Sequence, residues 1–260
     1  MTADRTVRSI ADGAGPFEIA GISDRGPVRH ENQDVWDAKV LSDGVSAVLA
    51  LGDGMGGHNG GLEAAEAAVN AAMTALSAAG ADDAAAMLTR AVEEASRAVA
   101  VVRSAIGGNP GTTLVLALVS GLHALVANVG DSRAYLIRGT AATQLTEDHS
   151  WAAGQVRLGA LSPEEARHHP RRNFIERAIL GDPVSADIFE VDTIAGDVLL
   201  LCSDGLWEPL PDATVAALIA SPDPLRVALT RACDAAIAGG GTDNVTIVAL
   251  RWVAPPSATV

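Results

Sequence analysis

Several apolar runs in this chain stop abruptly on an aspartate. Residues 47–51 lead through Gly52 into Asp53 and a string of glycines, residues 124–129 lead through Gly130 into Asp131, and residues 198–202 lead through Ser203 into Asp204. A fourth run, residues 245–250, is immediately preceded by Gly241-Thr242-Asp243-Asn244. Short apolar runs bounded by turn formers read as buried strands. Four strands therefore present an aspartate at one edge.

The remaining pattern fills in around them. Residues 17–22 and 35–40 read as short strands flanking a polar loop, 23–34, and residues 46–51 as a third strand ahead of the glycine-rich turn. An alanine-rich helix follows from about Leu62 to Ala79, closed by Gly80, and Asp82 reads as the N-cap of a second long helix ending near Gly107 and Gly108. Residues 112–120, 124–128 and 133–138 form a run of strands with no helix between them, punctuated by Gly121 and Gly130, and such a meander predicts antiparallel sheet. From Leu145 to Gly181 the chain turns to Asp, His and Arg. There Ser162-Pro163-Glu164-Glu165 carries a helix-start signature, and the segment reads as a surface excursion over the site. Residues 188–194 and 198–202 return to strand, 212–220 and 225–238 are helical, and 245–253 is the last strand.

Residues 1–15 lack apolar periodicity and read as a flexible N-terminal segment; 254–260 read as a tail. No linker or internal repeat divides the rest, so residues 16–253 are expected to be one domain. Helices covering two antiparallel sheets satisfy this order, an α+β arrangement.

A hydrophobic fraction of 48% over 260 residues is enough to bury a large core. The net charge of -14, with Lys39 the lone lysine, repels a nucleic-acid backbone, so no nucleic-acid partner is expected. No apolar stretch approaches a membrane span and no secretory pattern opens the chain. Cys202 and Cys233, one in an apolar run and one in a predicted helix, suit buried free thiols in a reducing compartment, and a cytoplasmic protein without a membrane partner is expected.

Carboxylates gathered at one rim need a positive partner, since two of them about 4 Å apart repel by roughly 4 kcal/mol at an effective dielectric of 20. With one lysine in the chain, a metal is the better neutraliser. Oxygen ligation favours Mg²⁺ or Mn²⁺, while the Cys and His spacings that zinc recruits are missing. Two such ions sharing an aspartate lower the pKa of a water and aim it at a phosphorus, which gives hydrolysis without a protein nucleophile. One Asp-Gly alone reads more simply as a turn closer; four at strand edges weaken that reading. Arg29 offers a guanidinium fork to a phosphate, or is a plain surface arginine. His58 reads as a turn residue bonded to backbone or as a proton donor, and His168-His169 as solvent-exposed. Other phosphate chemistries are excluded. Six residues after Cys202 and Cys233 stand Glu208 and Gly239 rather than the arginine of a cysteine phosphatase, Lys39 lacks P-loop neighbours, and no Gly-x-Ser-x-Gly occurs.

Seven segments in order, Arg29-His-Glu-Asn32-Gln-Asp34, Asp53-Gly-Met-Gly-Gly-His58, Gly111-Thr-Thr113, Val129-Gly-Asp131-Ser-Arg133, Leu145-Thr-Glu-Asp148-His149, Ser203-Asp204-Gly205-Leu-Trp207 and Gly241-Thr-Asp243-Asn244, resemble the bacterial protein phosphatase 2C family of metal-dependent Ser/Thr phosphatases. The resemblance covers about residues 17–252. It implies a four-layer α-β-β-α sandwich, two antiparallel sheets flanked by helices, with two Mn²⁺ or Mg²⁺ ions at one end. By motif position Asp53 would bridge both ions, the Gly54 carbonyl would bind one, and Asp204 and Asp243 would complete the other. Asp34 would hold water around the ions, Asp131 would contribute to a third, weaker metal, Arg29 would bind the substrate phosphate, and Asn244 would support Asp243. Residues 158–181 resemble the family's flap, an element that affects substrate access. The implied partners are phosphorylated Ser/Thr proteins, a bacterial Ser/Thr kinase or its substrates, and a monomer is expected. Gln33 stands where many relatives carry Glu, and Met55 where the eukaryotic branch carries His, which leaves the general acid open between water and His58. A non-catalytic phosphoprotein-binding module and a phosphatase of small esters are the competing readings.

Overall fold

The computed structural model describes residues 5–56, 60–78 and 83–253. The chain begins with four strands, β1 (Arg5–Asp12), β2 (Phe17–Asp24), β3 (Asp34–Val40) and β4 (Ser46–Met55), followed by helices α1 (Gly61–Ala78) and α2 (Ala84–Ile106). Strands β5 (Gly111–Thr112), β6 (Leu114–Ser120), β7 (His123–Val129), β8 (Arg133–Arg138) and β9 (Ala141–Gln144) come next, then the short helices α3 (Trp151–Arg157) and α4 (Pro163–His168). Strands β10 (Asp187–Asp192) and β11 (Val198–Cys202), helices α5 (Asp204–Trp207), α6 (Asp212–Ile219) and α7 (Leu225–Ala238), and strand β12 (Val245–Trp252) complete the order.

One sheet runs β1-β2-β12-β11-β8-β9 and the other β10-β7-β6-β4-β3, with β5 paired to β4. The pairs of both sheets are antiparallel, β12 against β2 and β11 and β4 against β3 and β6 among them. The period-2 alternation of a strand explains why the runs read as continuously apolar. On β4, Leu49 and Leu51 face the opposite sheet, where they meet Leu199, Leu201, Val248 and Leu250, while Val48 and Ala50 face α1 and α2. On β11 and β12, Leu200 and Ile247 face α6 and α7, against Val215, Leu229 and Cys233. Central strands buried on both faces leave room for polar groups only at their ends, which is where the aspartates stand. The four layers are the α-β-β-α sandwich that the motif order implies.

Several expectations are corrected. The flexible start expected over residues 1–15 contains β1, an edge strand paired to β2 from Arg5 opposite Asp24 to Asp12 opposite Glu18. Its polar sequence hides it, because it is held by ladder hydrogen bonds, an Arg5–Asp24 ion pair and Arg8 stacked on Trp36 rather than by burial. The third strand does not stop at Leu51. It runs through Asp53 to Met55, because Gly54 and Met55 pair with β5. The expected meander is broken: β7 lies in one sheet and β8 in the other, so the chain changes sheets at Gly130-Asp131-Ser132. The second helix is capped by Asp83, whose side chain accepts from the Ala85 amide. The expected cap at Asp82, the stop at Gly80 and the tail 254–260 lie outside the described residues. Cys202 and Cys233 are buried free thiols, and burial pushes the Cys233 thiol up to about 12. Among the described residues, no helix is long and apolar enough to cross a membrane.

Candidate metal centre

Both sheets end at the same rim. Asp34 opens β3 and stands directly opposite Asp53 of β4; from the other sheet, Asp204 follows β11 and Asp243 precedes β12. Asp131 lies in the crossing between the sheets, and its side of the cluster is closed by Trp207, whose indole N–H donates to the Asp131 carbonyl at 3.1 Å.

The backbone around each aspartate is fixed by a neighbouring motif. The Asp53 amide donates to Thr113 Oγ1 at 2.9 Å, and the Asp53 carbonyl accepts from the Thr113 amide (2.9 Å) and from Thr112 Oγ1 (3.0 Å). Thr113 Oγ1 also bonds Ser132 Oγ at 2.7 Å, so the residues flanking Asp53 and Asp131 share one polar contact. Asn244 joins the loops: its Oδ1 accepts from the Gln33 amide at 2.9 Å, and its Nδ2 donates to the carbonyls of Arg25 (2.8 Å) and Glu31 (2.9 Å). A buried relay leads from Asn32 through Ser23, Thr246 and Ser203 to the Asp34 carboxylate, which accepts from Ser203 Oγ at 2.7 Å. Two glycines permit this closeness. A Cβ on Gly26, whose φ is +73°, would come within 2.1 Å of the Asp243 carbonyl, and one on Gly205 within 1.9 Å of the Asn244 carbonyl.

The charges are strongly unfavourable as they stand. Burial first, and then repulsion from Asp34, Asp204, Asp131 and Asp243, hold the Asp53 carboxyl well above the usual range. Asp204 is raised in the same way, by burial and then by Asp131, Asp243, Glu208 and Asp34. Asp34 is pushed up to about 6, chiefly by burial, against hydrogen bonds from Ser203 and Thr246; Asp131 is pushed up to about 7 by burial and by Asp148. Two arginines offset part of this: Arg29 Nη2 donates to Asp243 Oδ2 at 2.6 Å, and the Arg133 charge opposes the rise at Asp131. Asp204 Oδ1 is buried with no hydrogen-bond partner among the described residues.

No three carboxylate, histidine or cysteine side chains among the described residues stand as a closed coordination set; Asp243 is engaged by Arg29 and Asp34 by Ser203. The donor chemistry nevertheless fits hard divalent cations. It is all oxygen, buried at Asp34 and Asp131 and half-buried at Asp53, Asp204 and Asp243, mutually repelling and, at Asp204 Oδ1, unsatisfied.

A protein phosphatase 2C family model matches residues 28–234. The chain belongs to the protein phosphatase 2C family. It is 37% identical over 235 residues to the serine/threonine protein phosphatase PstP of Mycobacterium tuberculosis, a match that takes in 89% of this chain and 44% of that protein. The chain thus spans less than half the length of that relative. With the serine/threonine phosphatase stp of Listeria innocua it shares 35% identity over 236 residues, 87% of this chain and 92% of the relative. The crystal structure of the catalytic domain of PstP in complex with two manganese ions superposes with a TM-score of 0.81 at 35% identity, over 92% of this chain and 99% of that one.

Within this phosphatase 2C domain, the sequence-derived residues Asp34, Asp53, Asp131, Asp204, Asp243 and Asn244 come together with Arg29 at their edge. Gly54 is wedged where a Cβ would lie 2.3 Å from the Gly61 carbonyl and 2.6 Å from that of Gln33. His58 lies outside the described residues. The motif reading gave no roles to Ser203, Thr113, Ser132 and Trp207, which hold the aspartates in place. All four stand inside the quoted motif segments, which signal that they belong to the site without showing which aspartate each one holds.

Proposed function

We propose that this chain removes phosphate from phosphoserine and phosphothreonine of proteins, using two Mn²⁺ or Mg²⁺ ions held by Asp53, the Gly54 carbonyl, Asp204 and Asp243. The convergence of buried and half-buried, mutually repelling aspartates from two sheets on one rim carries this reading. The PstP catalytic domain, alike in fold and bound to two manganese ions, supports it. When bound, such ions supply Lewis acidity: they lower the pKa of water and offset the charge of a transferring phosphoryl group.

The chain's own residues do the rest. Asp53, central among the carboxylates, would hold the ions together with Asp204 and Asp243. Asp34, opposite it in register and bonded by Ser203 Oγ, would accept a hydrogen bond from water at the site. Asp131 would contribute to a third, weaker site. Arg29 brings a half-exposed guanidinium to the rim, where its fork matches two phosphate oxygens. Asn244 keeps the loops carrying Arg29 and Asp243 together. Residues 158–181 form the flap beside the site. The same reading extends to a monomeric cytoplasmic enzyme opposing a bacterial Ser/Thr kinase.

Hydrolysis of a phosphothreonine peptide in Mn²⁺, in Mg²⁺ and after chelation, with Asp53→Asn alongside, tests it. Turnover that needs the cation and vanishes in the mutant supports the reading. Turnover that survives chelation refutes it, and turnover confined to small esters refutes the protein substrate.

A further inference from the structure

The flap reaches the aspartate cluster through one short helix. Helix α5 starts at Asp204, is four residues long and has no side-chain cap at Ser203, so its orientation is set from outside. Gly205 presses on the Asn244 carbonyl. The Trp207 indole lies 3.6 Å under the Arg133 guanidinium while its N–H holds the Asp131 carbonyl. Two flap arginines provide the other contacts. Arg172 Nε donates to the Glu208 carboxylate at 3.1 Å. Arg167, on α4, donates through Nη2 to the carbonyls of Trp207 at 2.7 Å and Leu210 at 3.2 Å.

A cation on carbonyls at the C-terminal end of a helix satisfies acceptors that the helix itself leaves open. Arg167 makes no ion pair among the described residues, so these carbonyls are its anchorage. Beneath α3 and α4 lies a cavity of about 570 Å³ lined by Arg133, Ala153, Val156, Ala166, Arg167 and Trp207. The flap therefore bridges a hollow at this point, and polar links rather than close apolar packing seat it on α5.

Resting on the reading of the cluster as a cation site, we propose that Arg167 is a positioning residue for that site. By holding the Trp207 and Leu210 carbonyls it fixes α5, and with it Asp204 at the start of the helix and, through the Trp207 indole, the backbone of Asp131. Seating of the flap thereby sets the affinity for divalent cations.

The test is calorimetric titration of Mn²⁺ into the purified protein and into Arg167→Ala, Arg167→Lys and Arg171→Ala. Arg171 is an exposed flap arginine set over Trp151 at 5.3 Å and serves as the control. Arg167→Ala is expected to weaken Mn²⁺ binding about tenfold, in the range typical of groups that orient metal ligands. The cation concentration for half-maximal hydrolysis rises in proportion, while turnover at saturating Mn²⁺ and KM for a phosphopeptide change less than about twofold. Arg167→Lys recovers part of the affinity and Arg171→Ala leaves it unchanged. Unchanged affinity in Arg167→Ala overturns the proposal, and so does a raised KM with unchanged affinity, which makes Arg167 a substrate contact. If near-UV circular dichroism shows that Arg167→Ala does not fold, the lysine variant decides: weakened binding supports the proposal and unchanged binding overturns it. Wild-type protein that binds no Mn²⁺ overturns the cation-site reading itself, a result distinguishable from a failure of Arg167 alone.

Discussion

Replacing Asp53 with asparagine should make the protein more stable when divalent cations are withheld, although it removes the residue that the proposed chemistry needs most. Asp53 and Asp34 are directly opposed across β3 and β4, which sets their Cβ atoms about 5 Å apart. At an effective dielectric of 20, two unit charges at that distance repel by about 3 kcal/mol. Asp204, Asp131 and Asp243 add to the repulsion, and uptake of a proton by the cluster relieves part of it. The neutral amide, of the same shape, is therefore expected to return about 2 kcal/mol, or about 4–8 °C in Tm for a domain of this size. The assay is thermal unfolding at pH 8, in chelator and in saturating Mn²⁺. In chelator the mutant melts higher. In Mn²⁺ the order reverses, because a ligand at a hundred times its Kd adds about 2.7 kcal/mol to the wild type and little to a mutant lacking the bridging carboxylate. A mutant melting at or below wild type in chelator would refute the claim that repulsion among these aspartates is stored in the fold.

Further expectations concern the same rim. Asp34 and Asp131 have raised folded values, about 6 and about 7, so the protein binds more protons folded than unfolded between pH 4 and 7; their contribution is full below the unfolded value near 4 and is lost as pH rises through 6 to 7. Melting temperature in chelator should therefore gain from these groups on acidification from pH 8 to 5, a gain that saturating Mn²⁺ suppresses; unfolding scans across pH with and without Mn²⁺ check it. Gly26→Ala drives a Cβ into the Asp243 carbonyl at a φ of +73° and should cost about 2 kcal/mol or more, with weakened Mn²⁺ binding in a calorimetric titration. Thr113→Val breaks the bonds to the Asp53 amide and Ser132 and should lower Mn²⁺ affinity about 10-fold or more, measured in the same way. Arg133 and Asp148 form a buried bidentate pair at 2.9 and 2.7 Å, so Asp148→Ala should destabilise by about 3–5 kcal/mol, with Arg133→Met/Asp148→Leu recovering most of it in urea unfolding.

The aspartates were legible in the sequence because a strand buried on both faces excludes charge along its length, which makes a terminal carboxylate conspicuous. Asp53, Asp131, Asp204 and Asp243 all stand out in this way. Asp34, following a polar loop, carries no such contrast and was reached through motif position alone. Strand β1 escaped because an edge strand is held by its ladder, which any sequence can make. The sheet change at Asp131 also escaped: local pattern records that a strand ends but not which sheet receives the next one. The supports of the cluster are harder still to read, since Ser203, Thr113 and Trp207 act through contacts between residues far apart in the chain, Thr113 with Asp53 and Trp207 with Asp131.

The central claim is that the five aspartates form a divalent-cation site. Crystals grown in Mn²⁺, with anomalous differences collected at the manganese absorption edge, test it most directly. Two strong peaks flanking the Asp53 carboxylate are expected, one of them also touching Asp204 and Asp243. An absence of ordered peaks at this rim, or peaks confined to surface carboxylates elsewhere, would contradict the claim.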